Sequence, residues 1–121
     1  MKKALVIDDD ESVSRLIEKL LIEKETLVDI AYDGRAGIMK IKEKYYDIIF
    51  LDVIMPGLGG KQVLGILNRL EKSIPVIIVS GHLTKDSLIQ LKEMGVIGFL
   101  SKPFNIEKFY NMVDQVYSAD N

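Results

Sequence analysis

The stretch DIIFLD, from Asp47 to Asp52, is the most strand-like segment of the sequence, and the loop residues VIMPG (53–57) follow it. Four consecutive apolar residues lie between its two acids, a pattern typical of a short parallel strand that is covered on both faces. Aspartate is rarely buried and is depleted in strands, so an acid at the end of such a strand needs a chemical reason. The segment therefore predicts a central parallel strand and a functional carboxylate, Asp52.

Strand-like and helix-like patterns alternate on both sides of this segment. Short apolar runs predict strands, and apolar residues spaced three and four apart predict helices that lie on a core. The predicted strands cover 3–7, 27–31, 47–52, 75–80 and 98–101, and the predicted helices cover 11–24, 33–44, 61–70, 84–94 and the segment from 105 onward. Five strand–helix pairs without a long linker predict one α/β domain over residues 1–121, with a parallel sheet, right-handed crossovers and helices on both faces.

Local signals mark the ends of several helices. Asp10, Asp33 and Asn105 stand at N-cap positions, where a side-chain oxygen accepts a backbone N–H of the first turn. Gly95 is placed to end the fourth helix. The predicted core-facing residues are Val13, Leu16, Ile17, Leu20 and Leu21 on the first helix, and Ile106, Phe109, Tyr110, Val113, Val116 and Tyr117 on the last.

The composition excludes several kinds of site. The chain has no cysteine and one histidine, which excludes disulfides, thiol nucleophiles and metal sites built from thiolates or several histidines. A formal net charge of -2 argues against a direct nucleic-acid partner, which would favour a basic face. No apolar run is long enough for a membrane span or a secretory leader, so we expect a cytoplasmic protein without a membrane partner.

Reactive side chains follow four of the five predicted strands. The first strand is followed by Asp8 and Asp9, the third by Asp52 and the fifth by Lys102, and the fourth ends at Ser80. Parallel sheets bind ligands at the carboxyl ends of their strands, so these groups are expected to lie together. Clustered carboxylates suit a hard cation such as Mg²⁺, and the cation and a lysine can neutralise a transferring phosphoryl group. A carboxylate can itself be the nucleophile that accepts the phosphoryl group.

Taken together, the four strand ends resemble those of the receiver domains of two-component response regulators, in the layout of the single-domain chemotaxis members. The motifs that carry the likeness are VIDDD (6–10), DIIFLDVIMPG (47–57), PVIIVSG (75–81) and GFLSKPF (98–104), and it covers essentially the whole chain. The resemblance implies a flavodoxin-like (βα)5 fold with strand order 2-1-3-4-5. It also implies a phosphoacceptor that requires Mg²⁺ and receives its phosphoryl group from a sensor histidine kinase, a phosphotransfer protein or a small phosphodonor.

The resemblance also implies a role for each acid of the cluster. Asp52 matches the phosphoacceptor, and Asp8 and Asp9 match the acidic pair that holds Mg²⁺. In the family, the acid corresponding to Asp9 binds the ion directly, and the one corresponding to Asp8 binds it mainly through water. The carboxylate of Asp52 and the backbone carbonyl of Ile54 complete the implied set of protein ligands.

Three further residues match the groups that sense the phosphoryl group. Ser80 matches the switch hydroxyl, Lys102 the lysine that pairs with the phosphoryl oxygens, and Phe99 the aromatic switch position. The Lys102–Pro103 bond matches the family's cis peptide. The implied output is a change at the face formed by the fourth helix, the fifth strand and the fifth helix, where a downstream effector binds. Such a domain is not an enzyme for other substrates, although it promotes its own aspartyl phosphorylation and dephosphorylation.

The residues alone leave two other functions open. An aspartate-nucleophile phosphatase would also use Asp52, but it usually needs a second acid two residues later, where this chain has Ile54. A receiver-like interaction module that is never phosphorylated normally loses the acid pair, the acceptor or the lysine, and all of these are present. Phe99 can also be an ordinary core residue. The run GLGGK (57–61) lacks the spacing of a phosphate-binding P-loop.

Overall fold

Strands and helices alternate along the whole of the computed structural model, which describes residues 1–119. The elements are β1 (Lys2–Ile7), α1 (Glu11–Ile22), β2 (Thr26–Ala31), α2 (Gly34–Glu43), β3 (Ile48–Leu51), α3 (Gly60–Arg69), β4 (Val76–Ser80), α4 (Lys85–Glu93), β5 (Gly98–Ser101) and α5 (Ile106–Ala119). All ten predicted elements are confirmed, and their bounds differ from the predicted ones by two residues at most. Asp120 and Asn121, the end of the predicted domain range, lie outside the described residues.

The five strands form one parallel sheet in the order β2-β1-β3-β4-β5, as the resemblance implied. The register pairs Ile7 of β1 with Leu51 of β3, and Leu51 with Ile78 of β4. The residues that follow Ile7 and Leu51 therefore emerge side by side at the carboxyl edge of the sheet. All four residues of β3 are buried, as its unbroken apolar run predicted.

Helices cover both faces of the sheet, and alternate residues of each strand serve the two faces. In β1, Leu5 and Ile7 belong to the core beneath α2, α3 and α4, whereas Ala4 and Val6 belong to the core beneath α1 and α5. The two cores meet only through the sheet, so the strand ends are held from both sides.

Two residues of the predicted helical stripes are not in the core. Leu16 of α1 is 40% exposed, and Ile106, in the first turn of α5, is 48% exposed. Helix α1 instead turns Ser14, Ile17 and Leu21 toward the sheet. The hydroxyl of the buried Ser14 donates a hydrogen bond to the backbone carbonyl of Asp8, 3.3 Å away.

The predicted helix caps are confirmed. Asp10, Asp33 and Asn105 each accept a hydrogen bond from the backbone N–H three residues ahead. Gly95 follows α4 with φ of 96°, the left-handed conformation that ends many helices. Two glutamates take the same region without the freedom of glycine, because Glu25 before β2 has φ of 54° and Glu71 before β4 has φ of 55°.

Candidate functional site

Asp8 and Asp52 leave adjacent strands at the carboxyl edge of the sheet, and the sheet fixes both backbones. The N–H of Asp8 donates to the carbonyl of Ala31 at 3.0 Å, and the N–H of Asp52 donates to the carbonyl of Ile7 at 2.9 Å. Asp8 is 2% exposed and Asp52 is 5% exposed. Two buried carboxylates are thus held next to each other by backbone that cannot easily move.

Asp9 joins these two acids from the solvent side. Carboxylate oxygens of Asp8, Asp9 and Asp52 lie within 4.8 Å of one another, and Asp9 is exposed. Backbone donors orient the buried pair: Asp10 N–H donates to Oδ1 of Asp8 at 2.9 Å, and Ile54 N–H donates to Oδ1 of Asp52 at 3.1 Å. The contact from the Asp10 backbone was not foreseen, since Asp10 was predicted only as a helix cap.

Lys102 supplies positive charge to both buried acids. Its Nζ lies 2.8 Å from Oδ2 of Asp8 and 3.1 Å from Oδ2 of Asp52. The bond to Asp52 is well directed, whereas the contact with Asp8 is an ion pair that leaves this buried oxygen without an aligned donor. The Lys102–Pro103 peptide is cis, as the resemblance implied.

Burial and charge shift the protonation of this group of residues. Burial raises the pKa of Asp8 to about 6, and the charge of Asp52 adds to the rise, while contacts with Lys102 and the Asp10 backbone oppose it. Burial lowers the pKa of Lys102, but its contacts with Asp8 and Asp52 outweigh burial and leave that pKa above its ordinary value. The lysine therefore stays an ammonium. Because this single positive charge is shared by the two buried carboxylates, a second cation would stabilise their charged forms.

Of the remaining predicted site residues, Ser80 and Ile54 lie at the same edge of the sheet, and Phe99 lies two residues before the end of β5. Ser80 is 1% exposed, its hydroxyl accepts a hydrogen bond from the N–H of His82 at 3.3 Å, and its carbonyl accepts one from the N–H of Lys102 at 2.9 Å. Phe99 of β5 is half-buried against the core under α2, α3 and α4. Ile54 is 55% exposed in the loop after Asp52.

The donor atoms of the cluster fit a hard divalent cation. Three carboxylates without histidine or cysteine form an all-oxygen set, which suits Mg²⁺ or a similar ion. Oδ2 of Asp8, which has no aligned donor, and the exposed carboxylate of Asp9 leave oxygen lone pairs available for such an ion.

Comparison with known protein families agrees with this geometry. The sequence model of the response regulator receiver domain family matches residues 4–114. The chain belongs to the receiver domain family. It is therefore a signalling domain with a phosphoacceptor role, and receiver domains of this family receive phosphoryl groups from histidine kinases or small phosphodonors.

Relatives of this receiver domain include longer response regulators. The response regulator ArlR of Staphylococcus haemolyticus is 29% identical over 116 residues, which cover 96% of this chain and 52% of ArlR. ArlR of Staphylococcus aureus is 30% identical over 108 residues, covering 89% of this chain and 49% of ArlR. The receiver domain thus spans about half the length of the curated relatives it matches.

Solved structures show the same fold. The receiver domain of the Francisella response regulator 1452 is 30% identical with a TM-score of 0.92, and each chain is covered in full, at 100%. TrrA of Thermotoga maritima, solved in complex with Mg²⁺ and BeF, is 26% identical with a TM-score of 0.85 over 96% of this chain and 99% of TrrA. Within residues 1–119, no helix of this receiver domain has the length and apolar character needed to cross a bilayer.

Proposed function

We propose that Asp52 is the residue of this receiver domain that accepts the phosphoryl group. The observation that carries the proposal is the meeting of three carboxylates, those of Asp8, Asp9 and Asp52, with the ammonium of Lys102 at a single edge of the sheet. Among the three acids, Asp52 alone follows the central strand β3 and is hydrogen-bonded to both Lys102 and the Ile54 N–H. These contacts hold the carboxylate of Asp52 in a fixed orientation, as a nucleophile requires.

The proposed reaction transfers a phosphoryl group without net oxidation. A carboxylate oxygen of Asp52 forms the new O–P bond, while the bond from phosphorus to the donor breaks and the donor leaves with that electron pair. The donor is the phosphohistidine of a sensor kinase or phosphotransfer protein, or a small phosphodonor. Lys102 then pairs with a phosphoryl oxygen, and the Ser80 hydroxyl donates a hydrogen bond to another.

We propose Mg²⁺ as the ion, held by Asp9 directly, by Asp8 mainly through water, and by Asp52 and the carbonyl of Ile54. When bound, Mg²⁺ neutralises the charge that builds up on the phosphoryl oxygens. The protein's own part is to keep the three carboxylates together despite their repulsion. The buried ion pair of Lys102 with Asp8 does this before any ion binds.

The proposed output is a change at the face formed by α4, β5 and α5. Movement of the Ser80 hydroxyl toward the phosphoryl group would vacate space that the half-buried ring of Phe99 can fill. A downstream effector would then bind the altered face. We propose further that residues 1–121 form a single receiver domain acting in the cytoplasm, and that it has no external substrate but catalyses its own phosphorylation and dephosphorylation.

Intact-mass measurement tests the proposed acceptor. The parent protein and the Asp52→Asn variant are incubated with a small phosphodonor, with Mg²⁺ or with a chelator. We expect one acid-labile phosphoryl group on the parent when Mg²⁺ is present, none when the chelator replaces it, and none on Asp52→Asn under either condition. Equal labelling of both proteins would show that another residue is the acceptor, and undiminished labelling in chelator would remove the role of the metal.

A further inference from the structure

The loop that joins β3 to α3 carries Ile54 and lies directly against the first residue of α3. A Cβ atom placed on Gly60 would sit 2.6 Å from the carbonyl oxygen of Asp52 and 2.7 Å from Cα of Val53, both backbone atoms. The N–H of Gly60 also donates to the carbonyl of Val53 at 3.0 Å. Any side chain at this position would therefore push the backbone of Asp52 and Val53.

The same loop meets a second glycine, contributed by a different helix. A Cβ atom on Gly34, the first residue of α2, would sit 2.3 Å from the carbonyl oxygen of Leu58 and 3.0 Å from its Cβ. Neither neighbour is the flexible end of a side chain, so the loop itself would have to shift. The loop is thus clasped between α2 and α3 at two points where only glycine fits.

We propose that Gly34 and Gly60 are positioning residues of the phosphoryl site, which hold the loop of residues 53–59 so that Asp52 and Ile54 face the acid pair. This inference rests on the proposed function of that site. The link to the site is direct, because Ile54 N–H donates to Oδ1 of Asp52 and so couples the loop's position to the direction of the acceptor carboxylate. Residues that orient ligating groups in this way govern metal affinity although they never touch the metal.

Each helix supplies its own control. Gly37 is also in α2, but the three atoms nearest to a Cβ there all belong to the side chain of Ile7, the first being Cδ1 at 2.6 Å. Gly65 is also in α3, and a Cβ there would have no neighbour within 4 Å. Gly37→Ala therefore crowds the core without touching the loop, and Gly65→Ala crowds nothing.

The test is the affinity for Mg²⁺, measured by calorimetry on the folded parent and on the four alanine variants, with and without beryllofluoride. We expect Gly34→Ala and Gly60→Ala to bind Mg²⁺ on the order of tenfold more weakly, and both controls to stay within about twofold of the parent. Urea unfolding of each variant shows whether affinity follows stability. A merely structural role predicts that Gly37→Ala loses affinity in proportion to its loss of stability.

A second measurement reports on loop position without any ligand. In metal-free protein, the amide resonance of Ile54 should move in Gly34→Ala and Gly60→Ala and stay in place in both controls. If Gly60→Ala does not fold, Gly34→Ala decides the question, because the three atoms nearest to its Cβ all belong to Leu58 of the loop. Equal affinities and an unmoved Ile54 resonance would overturn the positioning role. Absence of Mg²⁺ binding by the parent would instead contradict the proposed function.

Discussion

Helices α4 and α5 flank β5 on the proposed output face, yet they are anchored very differently. Helix α5 buries Phe109, Val113 and Val116, whereas α4 buries Leu91 alone. The burial of one apolar side chain stabilises by about 1.5–3 kcal/mol, so α5 is held by several times the hydrophobic free energy that holds α4.

Polar contacts reinforce this contrast. Helix α5 has polar contacts with β2 and the turn that precedes it. They include Tyr110 Oη to Glu23 Oε2 at 2.9 Å, Lys24 Nζ to Asp114 Oδ1 at 2.9 Å and Tyr117 Oη to Thr26 Oγ1 at 2.6 Å. The contacts of α4 with α3 are exposed hydrogen bonds from Lys61 to the Gln90 side chain and from Asn68 to the carbonyl of Met94. A weakly anchored helix moves at low free-energy cost. We therefore expect α4 to respond to the site while α5 serves as a fixed reference.

The largest effect is expected from removing the main anchor of α5. The ring of Phe109 is 0% exposed and stacks on Phe50 and Phe104, with centroids 5.3 Å and 5.5 Å apart. Phe109→Ala should lower the free energy of unfolding by about 3–5 kcal/mol, measured by urea titration of the metal-free protein. A loss below about 1 kcal/mol would mean that α5 is not anchored through this ring.

The matching change in α4 should have a smaller and more local effect. Leu91→Ala should lower the free energy of unfolding by about 2 kcal/mol, the low end for buried leucine, because a singly anchored helix can settle into the space. Hydrogen exchange checks the local part: the amides of α4 should lose protection while those of α1 and α5 keep theirs. Equal loss of protection in α4 and α5 would contradict the conclusion that α4 is the more weakly anchored helix.

High pH should weaken the contacts that α5 makes through its half-buried tyrosines. Burial raises the pKa of Tyr117 and Asp47 adds to the rise, while the contact with Thr26 opposes it. Burial together with Glu23 raises the pKa of Tyr110. A tyrosine with a raised pKa in the folded state stabilises the fold while neutral. Its contribution is complete below about pH 10 and is lost as pH rises through the raised pKa.

Urea unfolding at about pH 8 and about pH 11 measures this dependence, on either side of the ordinary tyrosine pKa. The unfolding free energy of Tyr117→Phe should fall less steeply than that of the parent over this interval. Tyr45→Phe is the control, because Tyr45 is 69% exposed and should leave the parent's dependence unchanged. Identical slopes for Tyr117→Phe and the parent would show that ionisation of the half-buried Tyr117 phenol does not destabilise the fold.

The smallest effect on stability should come from the exposed contact between α3 and α4. Lys61→Met removes the hydrogen bond to Gln90 and should change the unfolding free energy by less than about 0.5 kcal/mol. Amide resonances in α4 should nevertheless shift. Lys72→Met, which removes a bond to the carbonyl of Ile41 on α2, should leave α4 unshifted and serves as the control. Shifts in α5 as large as those in α4 would contradict the contrast.

Much of this fold was predictable because its signals are local. Four consecutive apolar residues predict the buried strand β3, and a cap such as Asp33 depends only on the next three residues. The strand order is different, since nothing in the spacing of the strands distinguishes 2-1-3-4-5 from other orders, and it came from the family resemblance. The prediction for α1 was wrong at Leu16, because the apolar pattern did not reveal that the polar Ser14 would be buried and bonded to the backbone of Asp8.

The site shows the same division between local and distant signals. Asp8, Asp52 and Lys102 were predicted to meet because each directly follows a strand, and they do meet. The roles of Gly34 and Gly60 were not foreseen, although both glycines stand in visible loop signals, Asp33-Gly34 and the Gly59-Gly60 pair. Gly34 lies against the backbone of Leu58, which is distant in sequence, and Gly60 lies against the backbone of Asp52 and Val53 at the other end of the loop. The residue type alone does not reveal such contacts.

Glu25 and Glu71 offer a practical opportunity for protein engineering. Both are exposed, both hold left-handed backbone, and both precede strands at the edge of the sheet opposite the carboxylates. A side chain in this conformation costs on the order of 1 kcal/mol, which glycine or asparagine relieves in part. Replacing Glu25 and Glu71 by glycine or asparagine should raise the free energy of unfolding and leave the phosphoryl site unaltered. Strained variants such as Gly60→Ala could then be purified and studied in that background.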